Sequence, residues 1–187
     1  MPINADIPED FIRNMSPDLL DTLLKDHTMS TEDTQRNIFW ATQDYEPLGE
    51  GYEYHSPILP HLITGRNGRV IMPRVLKTRD TQSARSREMA EVFTPSWICN
   101  AQNNLIDDAW FGRTEVFNIE HTDGEGRHFW TATTEKVTFP EGKTWKDYVR
   151  DNRLEITCGE APYLVSRYDS TTGETIPIEE RIGMLDR

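Results

Sequence analysis

The sequence predicts a mixed α/β chain, and three local patterns carry that expectation. Ser16-Pro17 followed by Asp-Leu-Leu-Asp-Thr-Leu-Leu-Lys reads as a helix start, with Ser as the cap, Pro at the first helical position and leucines at helical spacing. Thr94-Pro95 opens a longer helix: Thr94 caps it, Trp97, Ile98, Ala101, Leu105 and Ile106 form the apolar stripe, and Gly112 stops it. Residues 114–120 and 128–139 concentrate β-formers on either side of the turn-like His121-Thr-Asp-Gly-Glu-Gly126, which predicts a β-hairpin.

The remaining segments follow the same reading. Residues 31–45 are expected to be helical, with Ile38, Phe39 and Ala41 facing the core, and residues 46–60, rich in Gly, Pro and Tyr, form a loop. Arg69-Val-Ile-Met-Pro-Arg-Val-Leu76 is β-branched and apolar but carries Pro73, which confines it to an edge strand or an extended arm. Thr144 with Asp147 caps a short helix over residues 145–152. Residues 154–158 form a short strand ending at Gly159, and the chain turns polar through Asp169-Ser-Thr-Thr-Gly173. This divides the chain into a helical and extended region, residues 1–80, and a mixed region, residues 81–187.

Composition bounds the functional classes. A chain of 187 residues with 36% hydrophobic residues and five Trp has the material for a core. No stretch approaches the roughly 20 apolar residues of a membrane span, and the first ten residues lack a basic stretch before an apolar run, so a cytoplasmic protein without a membrane association is expected. The two cysteines, Cys99 and Cys158, stand far apart without a CxxC or Cys/His cluster, and His27, His55, His61, His121 and His128 show no ligand spacing. Reduced thiols and no structural metal are therefore expected. The net charge of −12 opposes phosphate binding by the chain as a whole, although Arg66, Arg69, Arg74, Lys77, Arg79, Arg85 and Arg87 cluster in sequence.

Two segments carry chemistry. Glu91-Val-Phe-Thr-Pro95 places a hydroxyl and free N–H groups at a helix start, a suitable receptor for a carboxylate. Leu154-Glu-Ile-Thr-Cys-Gly-Glu-Ala-Pro-Tyr-Leu164 reads as strand then turn, with Gly159 permitting close backbone approach to a nucleotide. Together, and in this order, they resemble two motifs of S-adenosylmethionine-dependent DNA adenine methyltransferases: a Tyr/Phe-Thr-Pro helix start and a loop of the form Asp-Pro-Ala-Cys-Gly-Ser-Gly-x-Phe-Leu. The resemblance covers about residues 88–169.

The resemblance implies a helical N-terminal region followed by the start of a Rossmann-like methyltransferase domain with an inserted β-hairpin. It implies S-adenosylmethionine as cofactor, with Phe93, Thr94, Pro95, Glu155, Cys158, Gly159 and Tyr163 around it. Thr94 would bind the methionyl carboxylate, Glu155 would face the ammonium, and Gly159 would pass beneath the methionyl chain. Asp169 and Asp186 are the candidates for a ribose-binding acid. The sequence departs from the family at Glu155, Ala161 and Pro162, and no Pro-Pro occurs, so the Asn/Asp/Ser-Pro-Pro-Tyr/Phe motif that holds a flipped adenine is missing. The implication is the N-terminal part of a modification enzyme of a restriction-modification system, inactive alone, that meets DNA through further sequence or a partner subunit.

Two rivals stand beside this reading. One is a non-catalytic scaffold or specificity component of a restriction-modification system. The other is a metal-dependent restriction nuclease, suggested by Glu141-Gly-Lys143 with Asp107, Asp108 or Glu120 as the second carboxylate.

Overall fold

The computed structural model describes residues 5–78, 82–83, 86–87, 92–155 and 159–187. They are mixed α and β, and the chain divides into two compact units, Asp6–Met72 and Pro73–Arg187, the latter taking in Ala5. No helix among the described residues is long and apolar enough to cross a membrane.

In the first unit, α1 (Glu9–Met15) ends where Ser16 turns extended, and Pro17 begins α2 (Pro17–Leu24), as the Ser-Pro signal predicts. Leu20 and Leu24 of α2 join Trp40, Tyr52, Ile58, Leu62 and Ile63 in one buried cluster, the last two from α3 (Pro60–Ile63). The buried aromatic polar atoms are satisfied: Trp40 Nε1–H donates to Gly51 O at 2.9 Å and Tyr52 O–H to Leu62 O at 2.8 Å.

Residues 31–45 are not a helix. They run extended until a 3-10 turn at Gln43–Leu48, with isolated bridges between Lys25 and Asn37 and between Phe39 and Pro57. Local side chains compete for the backbone: Asp26 Oδ1 accepts the N–H groups of Thr28 and Met29, and Thr31 Oγ1 accepts that of Thr34. Trp40 is buried in place of Ile38 and Phe39, which stay 41% and 44% exposed. The edge strand expected at residues 69–76 does not form either; Pro73 removes a ladder donor, and its carbonyl accepts Leu76 N–H in a 3-10 turn, Arg74–Leu76.

The second unit is built on α4 (Ser96–Phe111). Pro95, not Thr94, is its N-cap residue, and Gly112 ends it in the left-handed conformation at φ 68° with its N–H on Asp108 O. The predicted stripe is not the buried face: Trp97, Leu105 and Ile106 are 37%, 71% and 49% exposed, while Cys99, Asn100, Asn103 and Asp107 are buried. Each polar group of that face meets a partner from distant sequence. Asn100 and Asn118 exchange amide hydrogen bonds at 2.8 and 2.9 Å, Asn103 Nδ2 donates to Tyr163 O and Ile182 O, and Asp107 accepts from Tyr148 and Arg187. Cys99 is a buried thiol, and Cys158 lies outside the described residues.

The predicted hairpin forms as β1 (Asn118–Thr122) against β2 (His128–Ala132), antiparallel with Glu120 opposite Trp130. Asp123 Oδ1 closes the turn by accepting the N–H groups of Glu125 and Arg127. This hairpin is the one sheet among the described residues. The short helix α5 (Trp145–Arg150) carries the predicted capping box of Thr144 and Asp147. Its Tyr148 packs with Phe111 and Val116 in a second core edged by Trp110, Phe117 and Phe139. Leu154 and Glu155 lie outside any strand, Leu154 is 84% exposed, and residues 156–158 of the expected strand lie outside the described residues.

Candidate functional site

The structure brings the two chemistry-bearing segments into contact. Gly159 has φ +66°, and a Cβ built on it would stand 2.8 Å from Cε1 of Phe93, so glycine is required both for the backbone angle and for the approach of the ring. The Arg74 guanidinium stacks 4.7 Å from the Phe93 ring centroid. Arg74 is held in turn by its backbone N–H, which donates to Glu160 Oε1 at 2.9 Å, while Glu160 Oε2 accepts the Tyr168 hydroxyl at 2.7 Å.

The start of α4 departs from the sequence reading. Thr94 lies before the helix in a stretch whose carbonyl accepts the Ser170 hydroxyl at 3.1 Å, and Pro95 has no N–H to offer. The next N–H, that of Ser96, donates to Asp169 Oδ2 at 2.7 Å. A carboxylate therefore occupies the helix start, and it belongs to this chain. Burial alone would push the Asp169 carboxyl up; hydrogen bonds from the Thr171 hydroxyl, from Ser96 and from the Thr172 N–H outweigh it and hold the pKa down to about 2. With all four contacts made, Asp169 is committed to the fold, as is Asp186, which accepts the Ser166 N–H at 2.8 Å.

A cavity of about 600 Å³ opens beside the second segment, within the range of small-ligand sites. Gln102, Arg153, Glu155 and Tyr163 supply its polar wall, and Ile106, Leu164 and Met184 its apolar wall. Tyr163 is tied on both sides: its N–H donates to Glu155 Oε1 at 3.4 Å and its hydroxyl donates to Gln102 Oε1. Asn103 fixes the carbonyl of Tyr163 from below through the buried face of α4. Arg153 rests on the Tyr148 ring at 4.4 Å and donates from Nη1 to Tyr148 O at 2.8 Å.

Of the seven residues predicted to surround a cofactor, Glu155 and Tyr163 line this cavity, Phe93 and Gly159 touch each other, and Thr94 and Pro95 stand at the α4 start. Cys158 lies outside the described residues. Sequence reasoning missed Gln102 and Arg153. Gln102 follows Ala101 of the expected stripe and reads as solvent-facing, and Arg153 sits in a charged run, Asp151-Asn-Arg153, without a local signal. A smaller cleft of about 230 Å³ lies at the α4 start, where Trp97 stacks on His128 at 4.0 Å beside Trp130 and Asp169.

The elements of the nuclease reading are not assembled. Glu141 and Lys143 sit in a turn closed by Lys143 N–H on Pro140 O, Lys143 Nζ lies 4.6 Å over the Trp110 ring, and Asp107 is engaged by Tyr148 and Arg187. Among the described residues no three His, Cys, Asp or Glu side chains are grouped to hold a metal. Arg66 and Arg69 belong to the first unit and Arg74, Lys77 and Arg87 to the second, while Arg79 and Arg85 lie outside the described residues.

No protein family, curated protein or solved structure matches the chain.

Proposed function

We propose that this chain is the N-terminal part of an S-adenosylmethionine-dependent DNA adenine methyltransferase of a restriction-modification system, and that it supplies part of the cofactor pocket. The observation that carries the reading is the contact of Phe93 with Gly159: two segments that resemble cofactor-binding motifs, far apart in sequence, meet, and the second of them walls a cavity through Glu155 and Tyr163. The residues present fit the methionyl end of that cofactor. A carboxylate at Glu155 suits an ammonium, and a guanidinium at Arg153 suits a carboxylate. The cofactor supplies a methyl group on a sulfonium; the chain's part is to bind and orient it. In this reading the fold completes a Rossmann-like domain, and contact with DNA and the chemistry on the target base come from outside these 187 residues, through further sequence or a partner subunit.

One observation favours the scaffold reading instead. Asp169 fills the start of α4 where the resemblance places the methionyl carboxylate. A calorimetric titration of S-adenosylmethionine into the full chain separates the two. Saturable binding that weakens at least tenfold in Glu155→Gln supports the methyltransferase reading. No binding at millimolar ligand leaves the scaffold reading in its place.

A further inference from the structure

We infer that the cleft of about 230 Å³ at the start of α4 receives a guanidinium, the arginine side chain of a basic partner. The inference is independent of the cofactor reading above.

Three parts of the second unit wall the cleft: Trp97 from the first turn of α4, His128 and Trp130 from β2, and the segment that leads through Pro177 into a 3-10 turn, Ile178–Glu180. Contacts across these parts hold the aromatic groups in place. His128 lies flat on Trp97, with ring centroids 4.0 Å apart and planes 14° from parallel, and Trp130 Nε1–H donates to Glu180 O at 2.7 Å. Trp97 nevertheless stays 37% exposed. An indole with open π surface is the strongest aromatic receptor for a cation.

The charge of the cleft has one sign. The exposed carboxylates of Glu174 and Glu180 line it together with Asp169, and no Lys or Arg is among its lining residues. The cations next to these elements in sequence are committed elsewhere, Arg127 to Asp123 and Glu125 and Arg181 to Asp186. Glu174 and Glu180 have no ion-pair partner among the described residues.

Size and donor chemistry narrow the ligand. Small-ligand pockets run from about 300 to 1,000 Å³, so this cleft suits one side chain rather than a whole ligand. Ionised carboxylates only accept hydrogen bonds, which favours a cation bearing N–H groups over a quaternary ammonium. A guanidinium meets both demands, since its face stacks on an indole while its edge donates to carboxylates. An anion or a zwitterion would bring a carboxylate against Glu174 and Glu180. The net charge of −12 draws a basic partner towards the chain.

The test titrates N-acetyl-arginine-N-methylamide into the isotope-labelled full chain and follows the indole N–H resonances of Trp97 and Trp130 by NMR. The inference expects saturable shifts that weaken as salt is raised. The uncharged citrulline analogue and tetramethylammonium are each expected to bind about tenfold more weakly or less. The double variant Glu174→Gln with Glu180→Gln, which changes two exposed side chains and leaves the rest of the spectrum in place, is expected to weaken the arginine probe about fivefold or more. Unmoved indole resonances, equal binding of the citrulline analogue or tetramethylammonium, or undiminished binding by the double variant overturns the inference. Guanidinium chloride binding as tightly as the arginine derivative overturns the assignment to a partner's side chain.

Discussion

The ring of Phe93 lies against the α-carbon of Gly159 so closely that a single methyl group would stand 2.8 Å from Cε1. The contact is tight and the glycine left-handed, so two penalties fall on one substitution. Gly159→Ala is expected to destabilise the chain by about 1–3 kcal/mol for the backbone angle plus about 1–3 kcal/mol for overpacking. Gly142 offers the control: its φ is +74° but nothing lies within 4 Å of a built Cβ, so Gly142→Ala carries the first penalty alone. Urea unfolding of both variants reads the difference, and equal losses would show that the Phe93 contact is not tight.

The buried pair of Asp107 and Arg187 makes a second prediction. Their side chains are 4% and 1% exposed, and Arg187 also donates to Asn100 and Asn104. Arg187→Met strands the Asp107 carboxylate and is expected to cost about 3–5 kcal/mol, whereas Asp107→Asn with Arg187→Met removes the stranded charge and costs less than the single change. Denaturant midpoints order the three proteins, and a double variant less stable than Arg187→Met would contradict the pairing.

Two titrations follow from groups fixed at either end of α4. Asp169 is held at about 2 in the folded chain, below the ordinary carboxylate value of 3.8. A depressed folded pKa means that its contribution is present above about 4 and lost as pH falls towards 2. Acid unfolding of Asp169→Asn should therefore lack that component of the pH slope between about 4 and 2. Retention of the full slope in the variant would place the lost stability elsewhere.

Tyr148 behaves in the opposite sense. Burial and its 2.6 Å hydrogen bond to Asp107 push its phenol well above the ordinary value of 10.0. A raised folded pKa means that stability is complete below about 10 and declines above it. Tyr148 should ionise only as the chain unfolds in alkaline absorbance titration, and Tyr148→Phe should remove that late transition.

Much of the second unit was legible in sequence because its signals are local. Thr144 and Asp147 stand three residues apart and find each other in the capping box, Asp123 closes its own turn, and Gly112 ends α4 where the pattern stops. The buried face of α4 was not legible, because its stripe of Trp97, Leu105 and Ile106 has the correct spacing but the wrong partners. Asn118, Tyr148, Ile182 and Arg187 make the polar face the better one to bury, and no window along the chain contains them. Residues 31–45 failed similarly, since Pro57 and Ile58 hold Phe39 and Asn37 in extended form. At the candidate site, Phe93 and Gly159 were readable from local sequence, whereas Arg153 becomes visible only when Tyr148 supports its face.

The most direct test of the central claim, that the cavity beside Glu155 and Tyr163 binds the cofactor, is an amide NMR titration of the isotope-labelled chain with S-adenosylhomocysteine. The account predicts saturable shifts at Gln102, Asn103, Arg153, Glu155, Gly159 and Tyr163, with the first unit and the Trp97–His128 cleft unchanged. A spectrum unmoved at millimolar ligand, or shifts confined to that cleft, would contradict it.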